Sequence, residues 1–304
     1  MAERISFHDQ ISRNKLKSVF LLLIVFFVLV GLGYFIGIIL GPNYFTIIMI
    51  FAIVISIVYI WVGYYYSHSI ALASVHAQEA STQEYSEYHN IVEGLCLASG
   101  LPKPKLYVMK DSHINAFASG RDPRTAVICV TTAAVEKLDK QELEGVLAHE
   151  LSHVANYDIR FMTLTAVLVG MIAILSEIFL RSLWYSSLSN NRDREGKINA
   201  VFIIVGIILA ILAPIVVQLV QLAISRRREY TADASAVKFV RSPTGLMRAL
   251  RKIDREHAPT TEEKHHYNKA TAPLFMSDPF KRKLTDLFST HPPLEKRIAL
   301  LERM

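Results

Sequence analysis

The longest charge-free run of the 304-residue chain begins with residues 18–66, which read SVFLLLIVFFVLVGLGYFIGIILGPNYFTIIMIFAIVISIVYIWVGYYY. The run contains no Asp, Glu, Lys or Arg and continues to residue 78, about 60 residues in all. One membrane helix needs roughly 20 apolar residues, and the apolar core of a signal peptide is shorter still. Gly41-Pro42-Asn43 is a turn signal between two apolar segments, residues 18–40 and 44–66. The run therefore predicts a transmembrane helical hairpin.

The composition of the whole chain also indicates an integral membrane protein. Hydrophobic residues make up 52% of it, charged residues only 20%, and the mean hydropathy is +0.30. Two later apolar segments, at about residues 161–183 and 199–224, predict a second hairpin and hence four transmembrane helices. Glu177 interrupts the third segment, and either a functional role or a place near the membrane interface explains it. Basic residues flank the first and fourth segments, so both termini are expected in the cytoplasm.

The net charge of +6 does not indicate a nucleic-acid partner. The basic excess lies from Arg226 onward, and a basic face against the anionic inner leaflet of a lipid bilayer explains it. No nucleic-acid-binding motif accompanies the excess, so we expect the bilayer and no nucleic acid as a partner. Only Cys96 and Cys129 are present, and neither belongs to a CxxC pair. This excludes a disulfide framework and a cysteine metal site.

Two segments, residues 67–160 and 225–304, are water-soluble in composition. Short β-like runs occur in the first of them at Lys105–Met109, Asn115–Ser119 and Ala126–Thr131. Asp139 and Glu142 then form a capping box, which predicts the start of a helix. One face of this helix is apolar and consists of Leu143, Val146, Leu147, Leu151 and Val154. The polar residues of the helix therefore lie on its opposite face.

The helix carries the motif His149-Glu150-Leu151-Ser152-His153, whose two histidines lie on the polar face. Histidines at i and i+4 are one helical turn apart, so both imidazoles can reach one metal ion while Glu150 lies beside a bound water. Two histidine nitrogens, one carboxylate and a water suit Zn²⁺, which lowers the pKa of the water so that Glu150 can accept its proton. A helix with two surface histidines is the alternative interpretation.

A candidate third ligand follows the fourth apolar segment, in the sequence RREYTAD. Glu229 and Asp233 are again four residues apart, so one carboxylate can bind the metal while the other accepts a hydrogen bond from a ligand histidine. Two membrane crossings between the motifs bring Glu229 back to the side of His153. At about 1.5 Å per helical residue, the metal would lie within roughly 10 Å of the membrane surface. We therefore expect membrane proteins, or segments near the membrane, as substrates.

These motifs resemble the HtpX-type integral-membrane zinc metalloproteases, which are related to the CAAX prenyl endopeptidases. The resemblance covers nearly the whole chain: the first hairpin, HELSH, the second hairpin and RREYTADASA. It implies an α+β gluzincin-like protease domain on the cytoplasmic face of a bacterial inner membrane, with one Zn²⁺ per chain. It assigns His149, His153 and Glu229 as zinc ligands, Glu150 as the base and Asp233 as the partner of His149. The chain would divide into a membrane hairpin (1–70), half of the catalytic domain (71–160), a second hairpin (161–224) and the other half (225–304).

Two further elements carry over from the family. Asn115-Ala116-Phe117 is similar to its NAF element, an edge strand that pairs with an extended substrate, although an Asn at a strand start is also a common turn former. His291-Pro292-Pro293 and Arg297 are similar to its HPP element, whose His and Arg stabilise an oxyanion. Taken alone, this stretch only predicts the start of a helix, Leu294 to Glu302.

We therefore expect an endopeptidase that cleaves misfolded or damaged membrane proteins in protein quality control. ATP independence is expected because the chain contains no GxxxxGK[ST] loop. Two alternatives stay open: a processing peptidase for one lipidated or signalling substrate, and a membrane adaptor in which zinc only joins the two soluble halves. A transporter that uses Glu177 is disfavoured because repeat symmetry is absent. The stretch from His257 to Lys283 is either a mobile loop near the substrate or a solvated linker.

Overall fold

A computed structural model of the chain describes residues 7–169, 226–256 and 292–304, and the helices and strands are numbered along these residues. The predicted second hairpin, Glu177, His291 and the stretch from His257 to Lys283 lie outside the described residues. The expectation of four transmembrane helices therefore stays a prediction for the third and fourth.

The first two helices form the predicted N-terminal hairpin. Helix α1 (Phe7–Leu40) and helix α2 (Pro42–Ser74) are 34 and 33 residues long, and both contain stretches long and apolar enough to cross a membrane. Gly41 joins them with a φ of 99°, a conformation that glycine adopts readily, and Pro42 opens α2. Phe20, Phe51 and Trp61 are exposed along the hairpin, as expected for side chains that face lipid.

A four-stranded mixed sheet follows the hairpin. Its strands are β1 (Gln78–Glu79), β2 (Lys105–Met109), β3 (Ala116–Ser119) and β4 (Val127–Thr131), in the order β1-β2-β4-β3. β2 and β4 are parallel, whereas β1 and β3 each pair antiparallel with their neighbour. The sequence predicted β2, β3 and β4 to within one residue, but β1 is too short to show a period. Among the described strands, β3 lies at one edge of the sheet.

The remaining helices pack on the sheet and on one another. They are α3 (Ser86–Ser99), α4 (Thr132–Lys137), α5 (Lys140–Ala155), α6 (Asp158–Leu164), α7 (Arg226–Val240), α8 (Thr244–Glu256) and α9 (Leu294–Leu301). Helix α5 is central, since it contacts α3, α6, α7, α8 and β3. Its predicted apolar face is buried, but His149, Glu150 and His153 on the other face are buried too. Helix α7 covers that face, which joins the two soluble halves of the sequence into one domain.

A pair of glycines lets α8 approach α5 closely. A Cβ atom added to Gly145 would lie 2.4 Å from the backbone nitrogen of Leu246, and one added to Gly245 would lie 2.1 Å from the carbonyl oxygen of Gln141. Both distances are far below van der Waals contact, so the two backbones touch at this crossing. Glu142, buried on α5, is paired with Arg248 and Lys252 of α8 and fixes the register of the crossing.

Substitution of Gly145 by Ala should therefore destabilise the protein. The added methyl group meets backbone atoms that cannot rotate away, and such overpacking typically costs about 1–3 kcal/mol. Gly94→Ala is a matched control, because Gly94 is a helical glycine with no atom within 4 Å of an added Cβ. That variant should be slightly stabilised, by about 0.5–1 kcal/mol. Thermal unfolding of the full chain in detergent measures both, and equal melting temperatures would contradict the close crossing.

Candidate metal centre

Three buried side chains from two helices converge at the centre of the domain. α5 presents His149 and His153 one turn apart, with ring centroids 4.9 Å from each other. α7 presents Glu229, whose Oε2 lies 3.5 Å from His149 Nε2 and whose Oε1 lies 3.7 Å from His153 Nε2. One ligand atom from each residue lies within 4.8 Å of the other two, so the group could hold a metal ion.

The donor set fits zinc. Two imidazole nitrogens and one carboxylate form the protein part of many catalytic zinc sites, which keep a fourth position for water. Two ligand atoms at about 2.0–2.1 Å from a tetrahedral ion are about 3.4 Å apart. The observed separations of 3.5 and 3.7 Å between the histidine nitrogens and Glu229 are close to this value. The two distances end on different oxygens of Glu229, so the side chains would have to move to bring one atom of each residue, now within 4.8 Å of one another, around a zinc ion.

Asp233 and Arg297 lie behind His149. Asp233 Oδ1 is 2.9 Å from His149 Nδ1, on the ring edge opposite the nitrogen nearest Glu229. Arg297, on α9 and fully buried, donates to both Asp233 oxygens through Nε at 2.9 Å and Nη2 at 2.6 Å. Burial alone would raise the pKa of Asp233, but the Arg297 charge and the His149 hydrogen bond outweigh it and lower the pKa. Asp233 is therefore an ionised acceptor for His149.

The surroundings of His149 also set its affinity for protons. Burial and the charge of Arg297 lower its pKa, but hydrogen bonds to Asp233 and Glu229 outweigh them and raise it to about 9. In the absence of metal, His149 therefore carries a proton at neutral pH.

Glu150 lies between the metal cluster and the edge strand. Its side chain is buried, and this burial raises its pKa, while the two neighbouring histidines oppose the shift. The peptide N–H of Ala118 in β3 lies near the Glu150 carboxylate and also opposes the rise in its pKa. A carboxylate with a raised pKa beside a candidate metal site has the position and the chemistry of a general acid and base.

The predicted NAF residues lie at the start of β3, but their backbone groups and side chains face different neighbours. The side-chain oxygen of Asn115 accepts a hydrogen bond from the Ala116 N–H. The backbone carbonyl of Asn115 accepts one from the Thr131 N–H in β4. Because hydrogen bonds alternate along an antiparallel pair, Phe117 also directs its peptide groups to β4, whereas Ala116 and Ala118 direct theirs outward. The Phe117 side chain is buried against the hairpin helix α2. The outward-facing backbone therefore belongs to Ala116 and Ala118.

The predicted oxyanion residues are only partly described. His291 lies outside the described residues, and the helix predicted from Leu294 to Glu302 ends at Leu301. Arg297 donates to Asp233 through Nε and Nη2, and Nη2 also lies 3.3 Å from His149 Nδ1. Its remaining nitrogen, Nη1, lies 3.5 Å from Glu229 Oε2. Within the part of the chain that the structure describes, Nη1 has no hydrogen-bond partner.

Sequence analysis missed one carboxylate at this site. Asp158, at the start of α6, is fully buried with Oδ2 3.2 Å from His153 Nδ1. The available signal was an acidic residue five positions after the second histidine. Nothing in the spacing showed that the intervening turn brings this carboxylate to the histidine ring.

A two-histidine helix, a carboxylate from a second helix and a long apolar hairpin together define a membrane metalloprotease. The chain belongs to peptidase family M48, because the model of this family matches residues 82–304. It is 42% identical over 301 residues to a protein named Protease HtpX homolog from Thermoanaerobacter pseudethanolicus, with 97% of each chain covered. It is 40% identical over 297 residues to a protein of the same name from Caldanaerobacter subterraneus subsp. tengcongensis, again with 97% of each covered.

A solved structure is also similar to the chain. The crystal structure of S. mikatae Ste24p matches with a TM-score of 0.48 and 20% sequence identity. The match covers 95% of this chain and 65% of that one, so the chain spans less than two thirds of the length of Ste24p.

Loss of a cluster side chain should abolish stoichiometric metal binding. His153→Ala and Glu229→Gln each remove one of the three candidate ligands, so both variants should retain well under one zinc per chain after dialysis, whereas the wild type should retain one. His113→Ala is the control, because it removes a histidine from a different histidine–carboxylate pair, that of His113 with Asp111. Elemental analysis of the purified full chain gives the ratio. Full zinc content in the His153 variant would refute the assignment.

The affinity for zinc should fall as the pH falls below 9. Zinc must displace the proton that His149 carries below its pKa of about 9, so each unit of acidification from pH 8 to pH 6 should weaken binding by about tenfold. Competition with a chelator of known protonation constants measures the apparent affinity at each pH. A flat profile over this range would mean that His149 is already neutral in the metal-free protein.

Proposed function

We propose that this protein is a zinc endopeptidase that cleaves misfolded or damaged membrane proteins at the cytoplasmic face of a bacterial inner membrane, without ATP. The observation that carries the proposal is the position of Glu150 beside a buried group of three ligands, directly against an edge strand. The membrane location rests on the two apolar helices and on the similarity to HtpX homologs.

The proximity of the site to the membrane supports substrates of this kind. Asn14, near the first turns of α1, donates a hydrogen bond to Asp158, the partner of His153. Ala71 and Leu72, near the end of α2, pack with Phe117 of the edge strand. Both ends of the hairpin thus contact the residues around the cluster. A polypeptide that emerges from the bilayer beside the hairpin would reach the site over a short distance.

In the proposed mechanism, His149, His153 and Glu229 hold Zn²⁺. When bound, the zinc supplies Lewis-acid chemistry, which lowers the pKa of a water and polarises the peptide carbonyl. Glu150 accepts the proton of the attacking water and donates it to the leaving amine. The raised pKa of Glu150 suits this double role, because the carboxyl group must retain the proton between the two steps.

The outer residues orient the ligands and stabilise charge. Asp233 fixes the tautomer of His149, and Arg297 fixes Asp233 by two hydrogen bonds. We further assign Arg297 and His291 to the oxyanion of the tetrahedral intermediate. For Arg297 the support is Nη1, a buried donor directed to the ligand Glu229.

The edge strand β3 binds the substrate in this proposal. A peptide in extended form adds to a free sheet edge by backbone hydrogen bonds, and the outward-facing carbonyls of Ala116 and Ala118 offer acceptors for them next to Glu150. Asn115 orients the start of this strand through its hydrogen bond to the Ala116 N–H. Only a chain segment that has lost its native structure can become a strand here. This requirement selects misfolded substrates and makes ATP-driven unfolding unnecessary.

The proposal predicts cleavage of a destabilised membrane protein by the purified full chain in bilayer discs, in the absence of ATP. Glu150→Gln should keep its zinc and lose at least about 100-fold in rate, because general-base catalysis typically contributes 10²–10⁴-fold. Glu144→Gln makes the same change elsewhere on α5 and should cleave like the wild type. Gel electrophoresis gives the rate and elemental analysis the zinc content.

The same experiment separates the alternatives. Zinc-loaded wild type that cleaves no destabilised membrane protein would contradict the quality-control function. A single dominant cut in a whole membrane proteome would instead indicate a processing peptidase. An adaptor would keep its cellular function after Glu150→Gln, because Glu150 is not one of the three ligands.

A further inference from the structure

The turn between α5 and α6 brings a further carboxylate, that of Asp158, to the metal cluster. α5 ends at Ala155 and α6 begins at Asp158, so only Asn156 and Tyr157 connect them. Tyr157 has a φ of +57°, in the left-handed region that residues other than glycine seldom occupy. This sharp reversal places Asp158 Oδ2 at 3.2 Å from Nδ1 of His153.

The first membrane helix contacts all three residues of this turn. The side-chain amide of Asn14 donates to the Asn156 carbonyl at 3.1 Å and to Asp158 Oδ1 at 2.6 Å. The ammonium group of Lys15 lies 4.9 Å from the centre of the Tyr157 ring, a cation–π contact. Asn14 is buried although it is polar, while the nearby apolar side chains Leu16 and Phe20 of the same helix are exposed. These contacts hold the turn in its uncommon conformation.

The two candidate ligand histidines have parallel surroundings. His149 bonds to Asp233, and Arg297 of α9 donates to both oxygens of that carboxylate. His153 bonds to Asp158, and Asn14 of α1 donates to the other oxygen of that carboxylate. The first arrangement is anchored at the C-terminal end of the chain and the second in the membrane hairpin.

We infer that Asn14 and Asp158 are positioning residues through which the first membrane helix orients His153 for zinc binding. Asp158 accepts the Nδ1–H of His153, which leaves Nε2, the nitrogen nearer Glu229, to the metal. Asn14 fixes the plane of the Asp158 carboxylate by bonding to its second oxygen and to the adjacent backbone. The inference rests on the proposed zinc site and adds the hairpin to it as a structural part.

Arg228 completes the charge balance of this arrangement. It is buried on α7, directly before Glu229, and interacts electrostatically with both Asp158 and Glu229. Its guanidinium group also lies 5.5 Å from the centre of the Phe161 ring. A fully buried carboxylate needs a compensating charge and hydrogen-bond donors, and Asp158 has Arg228 for the first and Asn14 for the second.

The test measures zinc affinity of the metal-free full chain in detergent by chelator competition, together with the visible spectrum of the Co²⁺-loaded protein. Asp158→Asn should bind zinc roughly 10- to 100-fold more weakly, as for other partners of ligand histidines. Asn14→Leu, which keeps the volume but removes the amide, should bind on the order of tenfold more weakly and alter the cobalt spectrum. The double variant should bind no more weakly than Asp158→Asn alone, because Asn14 acts through Asp158.

Ser18→Ala is the matched control. Ser18 is buried one turn further along α1, and its hydroxyl donates to the carbonyl of Asn14 within the same helix, so loss of the hydroxyl should leave affinity and spectrum unchanged. Asn14→Leu keeps the test decisive if Asp158→Asn does not fold, and thermal unfolding of the metal-free forms identifies such a failure. Unchanged affinity and spectrum in both variants would overturn the inference while leaving the metal site intact. A wild type that binds no zinc would overturn the site itself.

Discussion

The burial of α5 from Gly145 to Val154, together with the polar residues in this stretch, determines how the rest of the domain is built. A buried imidazole or carboxylate without a hydrogen-bond partner costs free energy, so each such group on α5 requires a partner from a neighbouring element. His149 finds one on α7 and His153 on α6, and the peptide N–H of Ala118 in β3 lies near Glu150. The elements that enclose α5 are thus the elements that complete the site. The contacts that bury α5 therefore also supply the polar groups that surround the candidate metal ligands.

Negative charge is concentrated in this interior. Glu229 and Asp233 on α7 and Glu150 on α5 are all buried close to the two histidines. Arg297 offsets part of this charge, and the protonation of His149 at neutral pH offsets more of it in the metal-free state. A divalent cation would take over that role and release the proton. The same electrostatics that raise the pKa of His149 to about 9 therefore also favour a metal ion.

Local patterns in the sequence predicted the local features. The charge-free run gives the hairpin, the capping box gives the start of α5, and the four-residue spacing places His149 and His153 on one face. Contacts between distant elements had no such signal. Asn14 bonds to Asp158 across 144 positions, and the contact depends on how the hairpin docks on the domain. Periodicity placed the two histidines on the polar face of α5, but it could not reveal that α7 covers this face.

The proposed role of Asn14 links the metal centre to membrane insertion. If Asp158 orients His153 only when Asn14 bonds to it, the zinc site is complete only after α1 has docked against the turn before α6. α9 must dock as well, because Arg297 holds the carboxylate behind His149. The orientation of His153 thus depends on the docking of α1, and that of His149 on the docking of α9. A partly folded chain in the cytoplasm would have a weak metal site and little proteolytic activity, so the protease would mature only in the membrane where its proposed substrates are found.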